Sequence, residues 1–145
     1  MSGVIVGIDG SHNSSQALDW AMKEAAIRAA DLTVITVNSV IASPWTGRPV
    51  PYAGDDDKVD EIRTAAQEAV DKAAAALGDQ QPRSVKVLAV NGFPSRVLIE
   101  TSAGADLMVV GSRGGGGFGE LFLGSICSQV VHHAKCPVVV VPTGR

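Results

Sequence analysis

The sequence is poor in aromatic residues, in cysteine and in net charge. Six of its 145 residues are Phe, Tyr or Trp, two are Cys, and 12 basic side chains stand against 15 acidic ones, for a formal net charge of −3. Two cysteines are too few for a disulfide framework, so apolar side chains must stabilise the fold. The near balance of charges excludes a sequence-independent nucleic-acid binder, because such a protein needs many cations to neutralise phosphates.

Long hydrophobic runs are also missing. No stretch is long and apolar enough to span a bilayer, and the N-terminal residues lack the basic-then-apolar order of a secretory signal. We therefore expect a cytoplasmic protein with reduced thiols and no membrane contact. The length predicts a single domain over residues 1–145.

Valine and alanine are abundant instead. The chain has 20 Val and 19 Ala, and 46% of its residues are hydrophobic, which excludes disorder as its main state. Because Val favours buried strands and Ala favours close-packed helices, the composition predicts a sheet covered by Ala-rich helices.

Predicted strands and helices alternate along the chain. Because a helix joins each strand to the next, the strands must pair in parallel, in an open, doubly wound α/β fold with five strands and four helices. The predicted strands are Val4–Ile8, Leu32–Val40, Val85–Val90, Leu107–Val110 and Val138–Val141. The predicted helices contain Leu18–Ala29 with Ser11 or Asn13 as the cap, Val59–Leu77, a short stretch that starts at Pro94, and Ser125–Ala134.

The stretch Ile41–Asp57 has no periodicity. Its Pro and Gly residues predict that no regular element forms there. Since it follows the second strand, we expect it to be mobile until a ligand binds and then to cover the ligand, with Trp45 as a fluorescent probe.

Three segments lie at the carboxyl ends of predicted strands, where ligands of open parallel sheets bind. They are Asp9–Ser11, Val37–Ser39 and a Gly-rich loop that opens with Gly111-Ser112-Arg113-Gly114 and, after nine intervening residues, ends at Gly124-Ser125. Glycines let backbone N–H groups approach an anion, and the N-terminus of the last helix adds partial positive charge. The loop therefore predicts an anion site, with Arg113 as a full charge. The alternative is that Ser125 only caps its helix and the glycines only serve a flexible loop.

The Gly-2x-Gly-9x-Gly-Ser pattern of this loop resembles the nucleotide-binding signature of the universal stress protein family. The opening Val6–Ser11 and the closing His133–Val138 resemble segments of the same family. The resemblance implies an adenine nucleotide alpha hydrolase-like fold with sheet order 3-2-1-4-5. It also implies that the protein binds ATP, with or without Mg²⁺, and forms dimers. AMP and cyclic AMP are the less favoured ligands.

The resemblance assigns nucleotide contacts residue by residue. Asp9 would lie near the base and ribose, Val37 against adenine, and the loop glycines with Ser125 around the ribose and phosphates. The spacer Gly115–Leu123 has no Lys or Arg, although similar proteins often carry one. The implied site comprises Gly7, Asp9, Val37, Val110, Gly111, Ser112, Arg113, Gly114, Gly115, Gly124, Ser125 and Ile126.

We expect an ATP-binding universal stress protein that acts as a nucleotide-dependent regulatory module in the stress response. The sequence offers no evident general base, because Asp9 has no recognisable partner and the pair His132-His133 lies at the far end of the last helix. Enzymatic activity would thus be weak ATP hydrolysis at most. A slow ATPase and a protein-interaction module that binds no nucleotide remain alternatives.

Two further patterns are rejected as sites. His132, His133, Cys127 and Cys136 do not provide the four converging ligands of a metal centre, so no metal site made of protein side chains alone is expected. The G-x-G-x-x-G match at Gly114 follows the fourth strand rather than opening a first βαβ unit, which excludes a dinucleotide site.

The last predicted strand favours pairing between chains. Val138–Val141 are four consecutive β-branched residues at an expected sheet edge, with only Pro142 to blunt it. Two-fold pairing would bury them, so we expect a homodimer through this strand.

Overall fold

The computed structural model describes residues 2–39, 41–42, 49–50, 55–113 and 124–143. Within these ranges the chain forms seven strands and four helices. The strands are β1 (Val4–Ile8), β2 (Asp31–Ser39), β3 (Ile41–Ala42), β4 (Pro49–Val50), β5 (Ser84–Gly92), β6 (Leu107–Gly111) and β7 (Val138–Val141). The helices are α1 (His12–Arg28), α2 (Asp55–Leu77), α3 (Pro94–Thr101) and α4 (Ser125–His133).

The main sheet has five parallel strands in the order β5-β2-β1-β6-β7. This is the predicted order 3-2-1-4-5, and both the order and the α/β class are confirmed. In the centre, Val6 of β1 is level with Val34 of β2 and Val109 of β6. The strand order reverses between β1 and β6, and the loops that follow these two strands therefore diverge and leave a crevice between them.

Each face of the sheet has its own hydrophobic core, because successive strand residues point to opposite faces. On the α1 and α2 face, Val4 and Val6 pack with Leu18 and Met22, all at most 1% exposed. On the α3 and α4 face the core consists of Ile5, Ile35, Leu98, Met108, Val110, Cys127 and Val130. Burial of each large apolar side chain contributes roughly 1.5–3 kcal/mol to folding.

Helix α1 begins with a side-chain cap and ends at a left-handed residue. The Ser11 hydroxyl accepts a hydrogen bond from the Ser14 N–H at 3.2 Å, and Ala29 has φ +52°. Of the two caps that the sequence offers, Ser11 is therefore the one used. The side chain of Asn13 is left for contacts outside the helix.

One structural prediction for Ile41–Asp57 is wrong. Strands β3 and β4 form a short antiparallel pair, with Ile41 opposite Val50, and α2 already begins at Asp55. Pro49 is compatible with this pair because proline is tolerated at strand ends and sheet edges. Trp45, the probe of the predicted lid, lies outside the described residues, so the lid stays a prediction.

Polar contacts join neighbouring segments at the amino end of the sheet. The Asp31 carboxylate accepts hydrogen bonds from the Arg83 guanidinium, one of them at 2.8 Å, and from the Ser84 hydroxyl at 2.7 Å. These bonds hold the pKa of Asp31 well below its ordinary value. Close by, the Gly3 N–H donates to the Asp106 carboxylate at 2.9 Å.

No helix among the described residues has the length and apolar character needed to cross a membrane.

Candidate functional site

A cavity of about 210 Å³ lies at the carboxyl ends of β1, β2 and β6, on the face covered by α3 and α4. Its walls are mostly apolar, and its polar lining residues are Asp9, Ser14, Ser39 and Arg113. A concave, largely apolar space with a few polar groups is the usual form of a small-molecule site. The lining residues are Gly7, Ile8, Asp9, Ser14, Ile35, Val37, Ser39, Pro94, Leu98, Val110, Gly111, Arg113, Ile126 and Cys127.

Seven residues that the sequence assigned to the site line this cavity. They come from β1, β2, β6, the loop after β6 and α4, and they are Gly7, Asp9, Val37, Val110, Gly111, Arg113 and Ile126. Ser112, Gly124 and Ser125 do not line the cavity, but each lies within two residues of a lining residue in the sequence. Gly114 and Gly115 lie outside the described residues.

Asp9 builds the turn that joins β1 to α1. Its Oδ1 atom accepts a hydrogen bond from the Ser11 N–H at 2.9 Å, and its own N–H donates to the Ser14 hydroxyl at 3.2 Å. Gly10 between them has φ +83°, which only glycine adopts without strain. The Asp9 side chain is exposed and held at the cavity mouth by this turn.

Two glycines of the cavity lie in close contact with side chains of the helices. A Cβ atom on Gly7 would lie 2.9 Å from Leu98 Cδ1, and one on Gly111 would lie 2.6 Å from Asn13 Oδ1. Gly7 thus lets α3 approach the sheet, and Gly111 makes room for a side chain of α1. For Gly111 this reason differs from the expected one, which was the approach of an anion to the backbone.

The backbone at the start of the Gly-rich loop is already hydrogen-bonded within the protein. The Ser112 N–H donates to the Val141 carbonyl at 2.9 Å, and the Arg113 N–H donates to Asn13 Oδ1 at 2.8 Å. The Gly124 N–H donates to the Ser112 carbonyl at 2.7 Å, which joins the two ends of the loop. An anion must therefore rely on other donors at this position.

Such donors exist at the N-terminus of α4. Gly124 is the N-cap residue and makes no side-chain cap, so Ser125 occupies the first helical position. The alternative that Ser125 caps α4 is therefore wrong, and its exposed hydroxyl is left for other uses. The first three N–H groups of the helix, on Ser125, Ile126 and Cys127, have no acceptor within the helix and carry partial positive charge.

Charge at the site comes from Arg113, which is half-buried and donates from Nη2 to the Thr143 hydroxyl at 3.1 Å. This bond holds the guanidinium beside the carboxyl end of β7. Cys127 lies at the back of the cavity, 2% exposed, and burial raises the pKa of its thiol. Among the described residues, no three His, Cys, Asp or Glu side chains are grouped so that they could hold a metal ion.

Sequence reasoning missed part of the cavity wall. Pro94 and Leu98 belong to α3, and Ser14 belongs to the first turn of α1. The sequence did contain a signal for α3, namely the glycines at positions 7 and 92 of two strands. The side chains of Leu98 and Val97 in α3 pack against these two glycines. No local pattern indicated Ser14, whose role depends on the turn at Asp9.

An open parallel α/β sheet with a cavity at its switch point defines a class of small-ligand-binding domains. Within that class, the model of the universal stress protein family matches residues 1–142, and the chain belongs to this family. Universal stress protein Rv2005c of Mycobacterium tuberculosis is 37% identical over 139 residues, which are 96% of this chain and 47% of the relative. Rv2623 of the same organism is 32% identical over 142 residues, again 96% and 47%. The chain spans about half the length of the curated relatives it matches.

Solved structures share the fold over nearly the whole chain. Universal stress protein UspA from Lactobacillus plantarum superposes with a TM-score of 0.77 at 23% identity, over 97% of each chain. A universal stress protein in complex with cAMP gives 0.69 at 26% identity, over 99% of this chain and 98% of that one. The Archaeoglobus fulgidus protein in complex with dAMP gives 0.57 at 18% identity, over 97% and 98%.

Proposed function

We propose that this protein binds ATP at the cavity and acts as a nucleotide-dependent regulatory module of the stress response. The observation that carries the proposal is the position of an apolar cavity directly beside the N-terminus of α4 and the Arg113 side chain. An adenosine moiety needs the apolar space, and phosphates need the helix N-terminus and the cation.

The size of the cavity supports separate positions for the adenosine and the phosphates. At about 210 Å³ it is smaller than the roughly 300–1,000 Å³ typical of pockets that enclose a whole drug-sized ligand. The cavity therefore suits the nucleoside part, with Val37 and Val110 as apolar contacts for the base. The phosphates would lie outside it, at the N-terminus of α4 beside Gly124–Ser125 and the Arg113 side chain.

Regulation is favoured over efficient catalysis by what lines the cavity. Among the described lining residues there is no histidine, and Asp9 is the only acidic side chain. Its Oδ1 atom is already engaged by the Ser11 N–H. Hydrolysis by a poorly activated water would be slow, so weak ATPase activity is the second candidate function.

Adenine mononucleotides are the competing ligands, because a relative of 26% identity is in complex with cAMP. We therefore propose to denature the purified protein, identify any released nucleotide by mass spectrometry, and titrate the emptied protein with ATP, AMP and cAMP by calorimetry. Tightest binding of ATP supports the proposal. Tightest binding of cAMP would identify cAMP as the ligand of this site. Binding of none of the three nucleotides favours a protein-interaction module.

The same proposal includes a cytoplasmic location and a homodimer. Both cysteines are free thiols, as expected in a reducing compartment. Among the described residues, β7 has a sheet neighbour on one side only, and its four valines are half-buried. Pairing of two such edges would cover them.

A further inference from the structure

Asn13 joins three distant parts of the fold through one buried carboxamide. The side chain starts in the first turn of α1, and the residue is only 4% exposed. Its Nδ2 atom donates to the Val141 carbonyl at 3.1 Å and to Gln16 Oε1 at 3.2 Å. Its Oδ1 atom accepts from the Arg113 N–H at 2.8 Å. One side chain thus connects α1, the end of β7 and the start of the Gly-rich loop.

The chemistry of these contacts requires a carboxamide. Buried polar groups must be hydrogen-bonded, and only the carboxamides of Asn and Gln present two N–H donors and an oxygen acceptor on one planar group. An aspartate at position 13 would set a carboxylate oxygen against the Val141 carbonyl. Since Ser11 already caps α1, the Asn13 side chain is not needed to stabilise that helix.

Gly111 is shaped around this carboxamide. A Cβ atom at position 111 would lie 2.6 Å from Asn13 Oδ1 and 2.9 Å from its Cγ, closer than real contacts allow. Any side chain at position 111 would therefore expel the carboxamide from the Arg113 N–H. The first glycine of the loop and Asn13 depend on each other.

We propose that Asn13 is the positioning residue of the nucleotide site, a role that rests on the proposed function. It is not among the cavity-lining residues and acts through the backbone of residues 111–113. By fixing the Arg113 N–H it sets the direction in which the loop leaves β6. The same bond holds Arg113, whose guanidinium is the proposed cation for the phosphates, whereas the apolar walls at Val37 and Leu98 are held by the core of the sheet.

The first test separates the two ends of the ligand. Asn13→Ala should weaken ATP binding about tenfold or more and adenosine binding less than about threefold, both measured by calorimetry. The matched control is Ser102→Ala, which removes another buried polar side chain that does not line the cavity and whose hydrogen bonds to Ile99 and Lys135 do not involve the Gly-rich loop. The Ser102 hydroxyl donates to the Ile99 carbonyl at 2.6 Å and accepts from the Lys135 N–H at 2.8 Å. That variant should lose stability but keep the ratio of the two affinities.

A double-mutant cycle tests the dependence of Gly111 on Asn13. Gly111→Ala alone should weaken ATP binding about as much as Asn13→Ala does, because the new methyl group displaces the carboxamide. In the Asn13→Ala background the same change should cost little, since its two closest contacts are gone and only the backbone oxygen of residue 13, at 3.2 Å, remains. Additive losses of affinity would overturn the proposal.

A measurement without ligand distinguishes failure of this proposal from failure of the proposed function. Hydrogen exchange at the Arg113 amide should become at least about tenfold faster in Asn13→Ala than in the parent, and stay unchanged in Ser102→Ala. Unchanged exchange overturns the positioning role, even if ATP binds. Equal losses of ATP and adenosine affinity also overturn it. If exchange accelerates but the parent binds no nucleotide, Asn13 does not position a nucleotide site, and the proposed function fails with it.

Discussion

The two ends of the parallel sheet use polar groups in different ways. At the amino end, side chains meet each other at the surface, as Asp31 does with Arg83 and Ser84. At the carboxyl end, the buried Asn13 side chain holds the backbone, and an apolar cavity lies open beside it. Polar groups at the amino end satisfy one another, whereas those at the carboxyl end fix the backbone beside an open cavity, which we propose as the nucleotide site.

This difference follows from the fold. Helices cover both faces of the sheet, so only its ends can carry polar chemistry. The strand order reverses at the carboxyl end, between β1 and β6, and separates the loops there. Substitutions at the amino end should therefore change the free energy of unfolding and leave ligand affinity alone, whereas those at exposed positions of the carboxyl end, such as Ser125, should do the reverse.

The largest effect is expected from Gly3→Ala at the amino end. Gly3 has φ +92°, and a Cβ atom there would lie 2.5 Å from the Asp31 backbone oxygen. Strained backbone and overpacking together should lower the free energy of unfolding by roughly 2–5 kcal/mol. Chemical denaturation measures the loss, and calorimetry on the folded fraction should show unchanged ATP affinity.

The control for this change is Gly78→Ala. Gly78 also has a positive φ, of +73°, but nothing lies within 4 Å of the added Cβ atom. Only the backbone strain remains, so the loss should be about 1 kcal/mol. Equal losses in the two variants would show that the contact with Asp31 contributes nothing.

Much of the fold could be predicted from the sequence because its signals are local. The runs Val4–Ile8 and Val138–Val141 match their strands to the residue, since a buried parallel strand is a short β-branched run. The β3 and β4 pair was missed because only two residues on each side pair, which is too short for any alternation to show. Its Pro and Gly residues also mimic an irregular loop.

The candidate site, too, could be predicted only in part from the sequence. Its loops could be located because carboxyl ends of parallel strands are known positions in such a fold. The role of Asn13 could not, because its partners Arg113 and Val141 lie 100 and 128 residues away in sequence. From the sequence it was only one of two possible helix caps, and only the folded chain shows that Ser11 takes that place.

The second prediction concerns the edge strand β7. Its Val141 carbonyl accepts a hydrogen bond from the Asn13 side chain, and β7 stands at the end of the sheet among the described residues. The Pro137 carbonyl accepts a hydrogen bond from Met108 of β6, and the Val141 carbonyl accepts one from Ser112 just after β6, at 2.9 Å each. Backbone groups of the alternate residue Val140 therefore point to the outer edge. Val140→Pro should therefore abolish dimer pairing while the sheet stays intact. Light scattering at micromolar concentration should give one 14.9 kDa chain instead of two.

Val139→Asp complements this variant. Val139 packs against the core on the α1 and α2 face, so a charge there should disrupt the dimer and also lower stability. A parent that is already monomeric would contradict the predicted homodimer, as would dimers that survive both changes.

The third prediction tests the carboxyl end without disturbing the fold. Ser125 is exposed and does not cap α4, so Ser125→Ala should leave the free energy of unfolding unchanged. Loss of one hydrogen bond to a charged phosphate oxygen should weaken ATP binding by about 1–3 kcal/mol, which is about tenfold or more for most of that range. Adenosine affinity should hardly change. A variant that binds ATP like the parent would remove Ser125 from the phosphate site and weaken the contrast between the two ends.

The smallest effect is expected from Asp31→Asn at the amino end, because this ion pair is exposed and largely screened. Its hydrogen bonds to Arg83 and Ser84 lower the pKa of Asp31 in the folded protein below the ordinary value of 3.8. A carboxyl group with a depressed pKa contributes its full stabilisation above that ordinary value and loses it as the pH falls further. The difference in unfolding free energy between parent and variant should thus be constant from about pH 5 to pH 8 and shrink below about pH 4. Denaturation curves across this range measure it, with ATP affinity at neutral pH as the control. A difference that persists unchanged into acid would show that the charge of Asp31 plays no part, and a change in ATP affinity would break the division between the two ends of the sheet.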